Sequence, residues 1–573
     1  MKAKTPVRKT ERMTAERVQA SRWPFFAAAA VAVILVFWAY GPALHGEFLF
    51  DDYALSYTLP AGTDPPPSFH AVRPVLQFTY WLNSQLSGEN PFSYHVVNLL
   101  IHCIASGLIF LIVLRLVEWS GVEKARRPLL AGLAALLFLL HPVQTEAVAY
   151  LAGRSESLST LFAMAAFAVF LYRRETSSSW VVVVEVVALF GLALLSKEQT
   201  MALPALLLLT DFWWNPGFSL RGIRGNWRLY VVMALGAAGG IAFFWQLIFN
   251  ATTAGFALKD FTWYQYFFTE CRALFVYIRE FFLPVGLNAD WDFPISRTIM
   301  DHGAIIGLVA LIALAVLAWH FRRSFPLAAY GFFVYLVLMA PTSSILKIQD
   351  PVAERRLYFS MLGLLLIVVD VVRRIRVKPN QLVYGAAAVL LVTALATHAR
   401  AAVWTDPMTL WQDTIQKSPN KVRVRFQLAF AYYVREDYAT AVDKFAYAAQ
   451  AGPARADLLV DWGLSYAALH ETDKALDKLR QAAALTPTAH VYSQIGQVNG
   501  AARRWPDAMA ALDIAEKIDP SYAYTFFYKG LVYYNTNQCD KAVQNYRRSL
   551  ALDPTIPEGS TALRQASACA SSH

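Results

Sequence analysis

The feature that most constrains the fold is a series of long apolar runs in the first 400 residues, separated by short polar loops. The first run, residues 25–43, carries no charge and is long enough to cross a bilayer as an α-helix. Of the 573 residues, 56% are hydrophobic and 16% are charged, whereas about a quarter of a soluble domain is charged. The pattern predicts an all-α, polytopic membrane protein. We predict about eleven membrane-spanning helices, at 25–44, 94–117, 129–140, 158–172, 180–195, 201–214, 229–249, 303–320, 327–345, 358–372 and 383–398.

Basic residues gather at alternate ends of these runs, which predicts the orientation of the chain. They lie at 2–22, 115–127, 173–174, 221–228, 322–323 and 373–378, and short basic loops face the cytoplasm. The N-terminus is then inside, and the C-terminus is outside together with the polar segments that begin at 51, 141, 196 and 347. The segment 261–283 is apolar but carries four charges, so we predict an amphipathic helix on the outer face. The net charge of +10 belongs to the cytoplasmic loops and does not indicate a nucleic-acid partner.

From about residue 420 the composition is that of a soluble, helical segment with an internal repeat. Prolines recur at nearly the 34-residue period of tetratricopeptide repeats, and the same small and aromatic residues precede each of them; these are Pro453, Pro487, Pro520 and Pro554. The pattern predicts about four repeats stacked into an α-solenoid whose concave face suits extended peptides. Cys539 and Cys569 lie in this part of the chain and could pair if it is exported.

An aspartate pair, Asp51-Asp52, follows the first apolar run at the membrane interface. Two adjacent carboxylates in an apolar setting are costly, because mutual repulsion and poor solvation both oppose ionisation. A metal, a cationic partner or a catalytic role would explain them; a solvated loop is the alternative.

Other carboxylates occur in polar segments on the same predicted face. Pro142 ends a helix, which places His141 and Glu146 at a helix break that faces a cavity, unless they only cap the helix. Glu156 follows in the next polar segment. These three are predicted to orient the acceptor or to form part of a metal site.

Cations on this face form a second group. We predict that they bind a donor phosphate, because guanidinium groups match its geometry; they are Arg73, Arg154, Lys197, Arg355 and Arg356. Glu198, Glu354 and Tyr358 are predicted to support them. The alternatives are that Lys197 and Glu198 pair with each other, and that the two later arginines extend to lipid headgroups. Carboxylates beside cations at a membrane surface suit a lipid-linked sugar phosphate: a carboxylate takes the acceptor's proton while the cations stabilise the departing phosphate.

Several of these segments resemble the transmembrane and tetratricopeptide O-mannosyltransferases, and more widely the GT-C membrane glycosyltransferases. The matching segments are 50–52, 73–75, 94–102, 141–148, 153–156, 196–198 and 353–358, and the repeats match as well. The resemblance implies a GT-C catalytic domain at 24–400, after a cytoplasmic basic tail at 1–23. A linker at 401–420 and a repeat domain at 421–573 would follow.

The resemblance also implies an activity. A sugar, mannose in this family, would pass with inversion from a polyprenyl-phosphate donor to Ser or Thr hydroxyls of exported proteins. Asp51 and Asp52 inherit jointly the role of catalytic base, with Asp52 slightly preferred. The acceptor polypeptide is expected to dock on the repeats, and membrane lipids surround the enzyme. Animal members carry more repeats than the four found here, which predicts a bacterial member in the inner membrane, with periplasmic repeats and an undecaprenyl-type carrier.

Other functions stay open at this point. The chain could glycosylate a lipid or a cell-envelope glycan, or it could be a non-catalytic repeat scaffold for envelope assembly. A transporter or flippase has weaker support, and the sequence contains neither a Walker loop nor a dinucleotide fingerprint. No cofactor is certain. A divalent metal held by His141, Glu146 and the aspartates is possible, although this spacing is not diagnostic.

Overall fold

The computed structural model describes residues 23–55, 72–173, 177–250, 258–344, 346–453 and 455–571. Apart from Trp23, the predicted basic tail at 1–23 lies outside these residues. The described chain folds into α-helices joined by short 3-10 turns, which confirms the all-α prediction.

The helices of the first part of the chain are α1 (Trp23–Ala39), α2 (Gly41–Leu44), α3 (Pro74–Ser87), α4 (Pro91–Trp119), α5 (Arg127–Leu140), α6 (Thr145–Val148), α7 (Arg154–Arg173), α8 (Trp180–Ser196), α9 (Leu203–Trp214), α10 (Arg221–Gly225), α11 (Trp227–Asn250), α12 (Trp263–Phe282), α13 (Ala304–His320), α14 (Pro326–Met339), α15 (Leu357–Val372) and α16 (Pro379–Ala401). The 3-10 turns are Phe50–Ala54, Pro142–Gln144, Leu151–Gly153, Glu198–Ala202, Asp301–Gly303, Glu354–Arg356 and Ala402–Trp404.

Four helical segments of the described chain are long and apolar enough to cross a membrane, and a bent pair makes a fifth candidate. The four are Pro91–Trp119, Leu151–Arg173, Asp301–His320 and Asn380–Trp404, and the pair is Arg127–Leu140 with Pro142–Val148, bent by 49°. Shorter apolar helices lie at Ala27–Ala39, Trp180–Ser196, Trp227–Gly239 and Pro326–Met339. The structure therefore supports four or five full spans in a membrane protein, not clearly the predicted eleven. Breaks such as that at Pro142 divide apolar runs into helices too short to cross alone.

Helix α12 shows the alternation of faces predicted for 261–283. Tyr266, Leu274 and Tyr277 are buried on one face, whereas Arg279 is exposed on the other. The same buried face carries Glu270, so the burial of this helix includes a carboxylate that the sequence placed among the surface charges.

Helices α14 and α15 cross where one glycine faces another. A Cβ at Gly363 would meet the carbonyl oxygen of Gly331 and the backbone nitrogen of Tyr335 closer than van der Waals contact. Such small-residue crossings let membrane helices approach closely and gain dispersion energy that lipid does not offer. The buried position of α15 depends on this contact.

The repeats consist of four helix pairs and a final helix in the described residues. They are α18 (Val422–Val434) with α19 (Tyr438–Ala449), α20 (Ala456–Ala468) with α21 (Thr472–Leu485), α22 (Ala489–Ala501) with α23 (Trp505–Ile518), α24 (Ala523–Asn535) with α25 (Cys539–Leu552), and α26 (Gly559–Ser571), preceded by α17 (Pro407–Lys417). Successive pairs begin 33 or 34 residues apart, as the sequence period predicts. A disulfide joins Cys539 to Cys569 and ties α25 to α26.

Each helix pair turns through one residue in the left-handed backbone conformation. These residues are Glu436, His470, Arg503 and Asn537, with φ of 61°, 62°, 57° and 62°. In each turn the following residue's N–H donates to a carbonyl five residues earlier, which closes the first helix. The recurrence of this turn shows that the repeats share a backbone as well as a pattern.

The segment 401–420, predicted as a linker, is folded against the membrane domain. Trp404, Leu410 and Trp411 are buried in the same apolar core as the membrane helices. Val424 and Leu428 of α18 belong to that core too, so the first repeat continues it. We refer to residues 402–417 as the connector.

Ion pairs fix the start of the repeats to two outer loops. Arg423 donates from Nε and Nη2 to the carboxylate of Asp290, at 2.6 Å each, and Nη2 also contacts Asp350 at 2.8 Å. Lys421 contacts the same two aspartates. Opposing cations hold the pKa of Asp350 below its usual value although burial acts against them. The repeats are thus held at a fixed angle to the membrane domain.

Gly363→Ala should destabilise the protein by about 1–3 kcal/mol, the cost of overpacking, even though alanine favours helices over glycine. The matched control is Gly132→Ala in α5, where an added Cβ meets no atom within 4 Å. This control should be neutral or should stabilise the protein by up to about 1 kcal/mol. Thermal unfolding of both variants in detergent measures the difference, and equal midpoints would show that the crossing is not close.

Candidate active site

The aspartate pair lies in the 3-10 turn Phe50–Ala54, which exposes one carboxylate and buries the other. Asp52 is 0% exposed, and its two oxygens accept from the N–H of Ala152 at 2.7 Å and of Leu49 at 2.9 Å. Burial raises the pKa of Asp52 to about 8 although these N–H groups act against it. Asp51 is exposed. Of the two predicted base candidates, Asp51 is therefore the one open to an acceptor, whereas Asp52 holds the turn.

Aromatic packing against the connector supports this turn. Phe50 has φ of 45°, an unfavourable value for a bulky residue, and its ring packs edge-on against Trp411 at 5.6 Å. Tyr150 stacks on Trp404 at 5.5 Å, and its hydroxyl accepts from the N–H of Asp51 at 3.0 Å. The connector therefore fixes the backbone that presents Asp51.

Two buried glutamates are neutralised by cations from other segments of the chain. Glu146, 1% exposed, accepts from both the backbone N–H and the guanidinium of Arg355. Glu156, also 1% exposed, accepts from Lys197 and Gln199. Arg355 Nε lies 3.8 Å from Glu156 Oε1, which links the two pairs. Burial lowers the pKa of Lys197, and Glu156 opposes this effect.

Arg73 forms a third pair at the edge of the site. Its Nε and Nη2 donate to the two carboxylate oxygens of Glu198 at 3.0 and 2.6 Å. The Glu198 side chain is 65% exposed and that of Arg73 is 32% exposed, so this pair faces solvent. Arg73 has φ of 57° immediately before Pro74, a strained backbone position that the first turn of α3 holds in place.

These groups form one continuous arrangement, which we call the charge cluster. Tyr150 lies within electrostatic range of both Asp51 and Arg355, and Arg73 lies within range of Glu156 and Arg355. The charge cluster comprises Asp51, Arg73, Glu146, Glu156, Lys197, Glu198 and Arg355. The structure thus brings together seven of the predicted site residues, from segments far apart in sequence.

The other predicted residues lie outside the charge cluster. Arg154 is fully buried and donates to Asn98 at 2.6 Å and to Asn83 at 2.9 Å, with the ring of Tyr80 4.5 Å from its guanidinium carbon. Arg356 is 6% exposed and donates to backbone carbonyls of 350 and 351. Neither guanidinium is open to a donor phosphate, so both hold the fold instead.

Three further predicted residues are also in structural positions. His141 contacts the carbonyl of Phe281 at 2.9 Å and the N–H of Val143 at 3.3 Å, so both ring nitrogens are engaged. Tyr358 is buried, and its hydroxyl contacts His102 at 2.8 Å. Glu354 is 0% exposed; burial raises its pKa, and Arg400 acts against this shift.

The possible metal site does not assemble around His141, Glu146 and the aspartates. In the segments that the structure covers, no group of three or more histidine, cysteine, aspartate or glutamate side chains is placed to hold a metal ion.

Comparisons with known proteins agree with the layout of the chain. It is 24% identical to a protein O-mannosyl-transferase of Caenorhabditis elegans, over 68% of this chain and 57% of the relative. It is 25% identical to protein O-mannosyl-transferase TMTC1 of Homo sapiens, over 68% of this chain and 51% of the relative. It is 23% identical to human TMTC3, over 86% of this chain and 54% of the relative.

The chain is similar to the TMTC protein O-mannosyl-transferases. It spans about half the length of the curated relatives it matches. No protein-family model matches the chain.

Among solved structures, the chain is similar to the TPR protein YrrB, with 20% identity over 30% of this chain and 87% of that chain, and a TM-score of 0.24. It is also similar to the TPR protein TTC0263 of Thermus thermophilus, with 17% identity over 32% of this chain and 96% of that chain, and a TM-score of 0.26. The repeat fold rests on the helix pairs of the chain itself.

The structure adds residues that the sequence analysis missed. The hydroxyl of Tyr150 accepts from the N–H of Asp51, and Gln199 donates to Glu156. Tyr150 and Gln199 are uncharged, so the search for charged motifs in the sequence did not select them. Asn98 accepts from Arg154 and lies 3.4 Å from three carbonyls of 148–151. A Cβ at Gly153 would lie 2.5 Å from the carbonyl oxygen of Glu146, which explains the glycine in that motif.

Arg154→Lys should destabilise the protein although the charge is kept. Lysine cannot reproduce the planar fork that reaches both Asn83 and Asn98, and each buried acceptor left unpaired costs about 1–3 kcal/mol. The control is Arg173→Lys, where the side chain is about half exposed and pairs with Glu185. The measurement is the unfolding midpoint of each variant. A stable Arg154→Lys protein with weakened donor binding would contradict the structural role and would indicate that Arg154 binds the donor phosphate.

Proposed function

We propose that this chain is an inverting glycosyltransferase that transfers mannose from a polyprenyl-phosphate donor to Ser or Thr hydroxyls of exported proteins. The observation that carries the proposal is the exposed carboxylate of Asp51, which Tyr150 links to the charge cluster: Tyr150 accepts from the N–H of Asp51 and lies within electrostatic range of Arg355. The names of its relatives support the mannosyl transfer to protein. We further propose a bacterial inner-membrane enzyme with a cytoplasmic N-terminus and extracytoplasmic repeats, on the basis of the alternating basic loops.

In the proposed reaction Asp51 is the general base. Its ionised carboxylate takes the proton of the acceptor hydroxyl while that oxygen attacks the anomeric carbon. The bond from this carbon to the phosphate oxygen breaks on the opposite face, and the phosphate leaves with the electron pair. This is the single displacement of inverting glycosidases, with a protein hydroxyl in place of water. No step of this scheme uses Asp52, whose carboxylate is occupied by backbone N–H groups.

The leaving phosphate is proposed to bind Arg73 and Arg355. Each side chain is about one-third exposed, at 32% and 33%, so guanidinium N–H groups remain open. The Arg73–Glu198 pair is an exposed ion pair, which contributes about 0–1 kcal/mol. The leaving phosphate becomes a monoester with up to two negative charges, against one on Glu198, so it can displace this carboxylate from the guanidinium of Arg73. Lys197, which is paired with Glu156, lies within electrostatic range of both arginines.

Asp51→Asn keeps the shape of the side chain and removes its basicity, so it should lower kcat by about 10²–10⁴-fold. Asp52→Asn should lower protein stability more than the chemical step, because asparagine cannot accept with both of its side-chain atoms. Glu89→Gln, an exposed carboxyl on the loop before α4, is the control and should keep near-native turnover. The assay is mannosyl transfer by purified protein of verified fold. Near-native turnover by both aspartate variants would refute the catalytic proposal and favour a scaffold.

Arg73→Gln should raise the donor KM by about 10–100-fold, the loss of a charge-assisted contact worth about 1.5–3 kcal/mol. Glu198→Gln removes the competing carboxylate and should lower the donor KM by up to about fivefold. Acceptor KM should change little in either variant. Arg297→Gln, an exposed arginine outside the charge cluster, serves as control. Opposite shifts in donor KM are the expected signature; an unchanged donor KM in both variants would move the phosphate site away from Arg73.

The repeats are proposed to dock the acceptor polypeptide, because stacked helix pairs offer a concave surface and are rigidly joined to the membrane domain. A chain that ends at residue 487 keeps the first two repeats and the ion pairs to the outer loops. It should transfer sugar to a short peptide at the native rate and to a long unfolded acceptor more slowly. Equal rates on the long acceptor would contradict docking on the later repeats.

A further inference from the structure

A cavity of about 430 Å³ lies at the end of the helix bundle opposite the charge cluster. Helix α15 begins two residues after Arg355 and ends beside the cavity. Helix α5 begins beside the cavity and ends just before His141. Helix α4 also ends there. The cavity is therefore separated from the proposed active site by the full length of these helices.

Four arginines line this cavity: Arg126, Arg323, Arg373 and Arg374. They come from the α4–α5 loop, the α13–α14 loop and the C-terminal end of α15. The lining contains a single carboxylate, that of Glu123, together with the hydroxyl-bearing Ser120 and Ser324. The cavity is within the size range of ligand pockets, about 300–1,000 Å³.

Contacts behind the cavity hold two of these guanidinium groups in place. The buried carboxylate of Asp370 accepts from Arg373 at 2.5 Å and from Arg374 at 3.3 Å. Arg373 also donates to Ser120 at 3.2 Å. Asp370 therefore balances part of the charge, and its position fixes the direction of both side chains.

The other two arginines have donors to spare. Arg126 donates from Nη1 to the carbonyl of Arg373 at 3.1 Å, and no carboxylate in the described chain pairs with it. Arg323 is exposed, and the described residues supply no hydrogen-bond or ion-pair partner for it. Four cations thus face one lining carboxylate and one buried carboxylate, which leaves an excess of positive charge and unused N–H donors for an anion.

Apolar side chains around the cavity indicate where the anion comes from. Phe321, Phe325, Val371 and Ile375 are exposed, at 45%, 38%, 52% and 41%. They lie on the same helix ends as the arginines, as expected at the level of lipid headgroups. The loops are those that the positive-inside rule places in the cytoplasm. Basic pockets between membrane helices on that side suit phospholipid headgroups, and guanidinium forks bind phosphate with two parallel hydrogen bonds.

We propose that this cavity binds the phosphate of an anionic phospholipid of the cytoplasmic leaflet. Arg126 and Arg323 supply the free donors, and the acyl chains lie along the exposed apolar residues. The proposal does not depend on the glycosyltransferase activity, because the cavity shares no residue with the charge cluster.

Native mass spectrometry of the full chain in detergent tests this proposal, with phosphatidylglycerol, phosphatidylcholine and inorganic phosphate as probes. Wild-type protein should bind phosphatidylglycerol more tightly than phosphatidylcholine. Arg323→Ala should weaken the binding of phosphatidylglycerol, and Arg126→Ala combined with it should weaken it by at least about tenfold. Arg376→Ala, an exposed arginine of the same loop outside the cavity lining, should leave binding unchanged.

Equal affinity for the two lipids, or unchanged phosphatidylglycerol binding in Arg323→Ala, would overturn the proposal. Inorganic phosphate that displaces phosphatidylglycerol at equal concentration would show a site for a soluble anion and would also overturn it. Arg323 has no partner in the described chain, so Arg323→Ala should fold, and it decides the outcome if the double variant does not.

Discussion

Neutralisation of Glu146 and Glu156 is the interaction on which the outer end of the membrane domain depends. Each is 1% exposed, and an uncompensated buried carboxylate costs several kcal/mol. The compensating cations come from distant segments, since Arg355 is 209 residues from Glu146 and Lys197 is 41 residues from Glu156. Pairing them fixes the ends of α6, α7, α8 and α15 relative to one another. In the proposed reaction, the cations that bind the departing phosphate are therefore held by the fold before the donor binds, which reduces the reorganisation that the reaction needs.

A second set of contacts connects the aspartate turn with the repeats. The ring of Phe50 packs on Trp411 of the connector. The guanidinium carbon of Arg423, in the first repeat, lies 5.8 Å from the centre of the Phe50 ring. Arg423 also binds Asp290 through both carboxylate oxygens, a geometry with more directional strength than a single contact. The turn that presents Asp51 and the helices that begin the repeats consequently share supports. A repeat domain attached in this way holds a fixed orientation toward the site rather than swinging on a flexible tether.

The sequence predicted those features that depend on local periodicity. The repeat helices were predictable because the same pattern occurs four times at a spacing of 33 or 34 residues, and the all-α class was predictable from the apolar runs. The number of full spans was not, because helix breaks depend on how neighbouring helices satisfy the backbone. The roles of individual charges were also not predictable. Arg73 and Arg154 are the same residue type beside similar motifs, but Asn83, Asn98 and Tyr80 enclose one while the other faces solvent. In a 3-10 turn adjacent side chains point about 120° apart, so Asp51 and Asp52 face different surroundings, and only tertiary packing decides which of them is buried.

The two proposed anion sites, one at each end of the bundle, differ in their balance of charged side chains, and this difference bears on what each site would bind. In the charge cluster Arg73, Lys197 and Arg355 are matched by Glu198, Glu156 and Glu146. In the proposed reaction, a phosphate that binds Arg73 must therefore displace a carboxylate. Such a balance suits a group that must leave after each transfer. In the opposite cavity four arginines face Glu123 and Asp370, which leaves two positive charges that no carboxylate among the described residues balances. An anion there adds attraction without displacing any carboxylate, and so it can remain bound. Under the two proposals, the same residue type would bind a transient ligand at one end of α15 and a resident ligand at the other, because the number of nearby carboxylates differs.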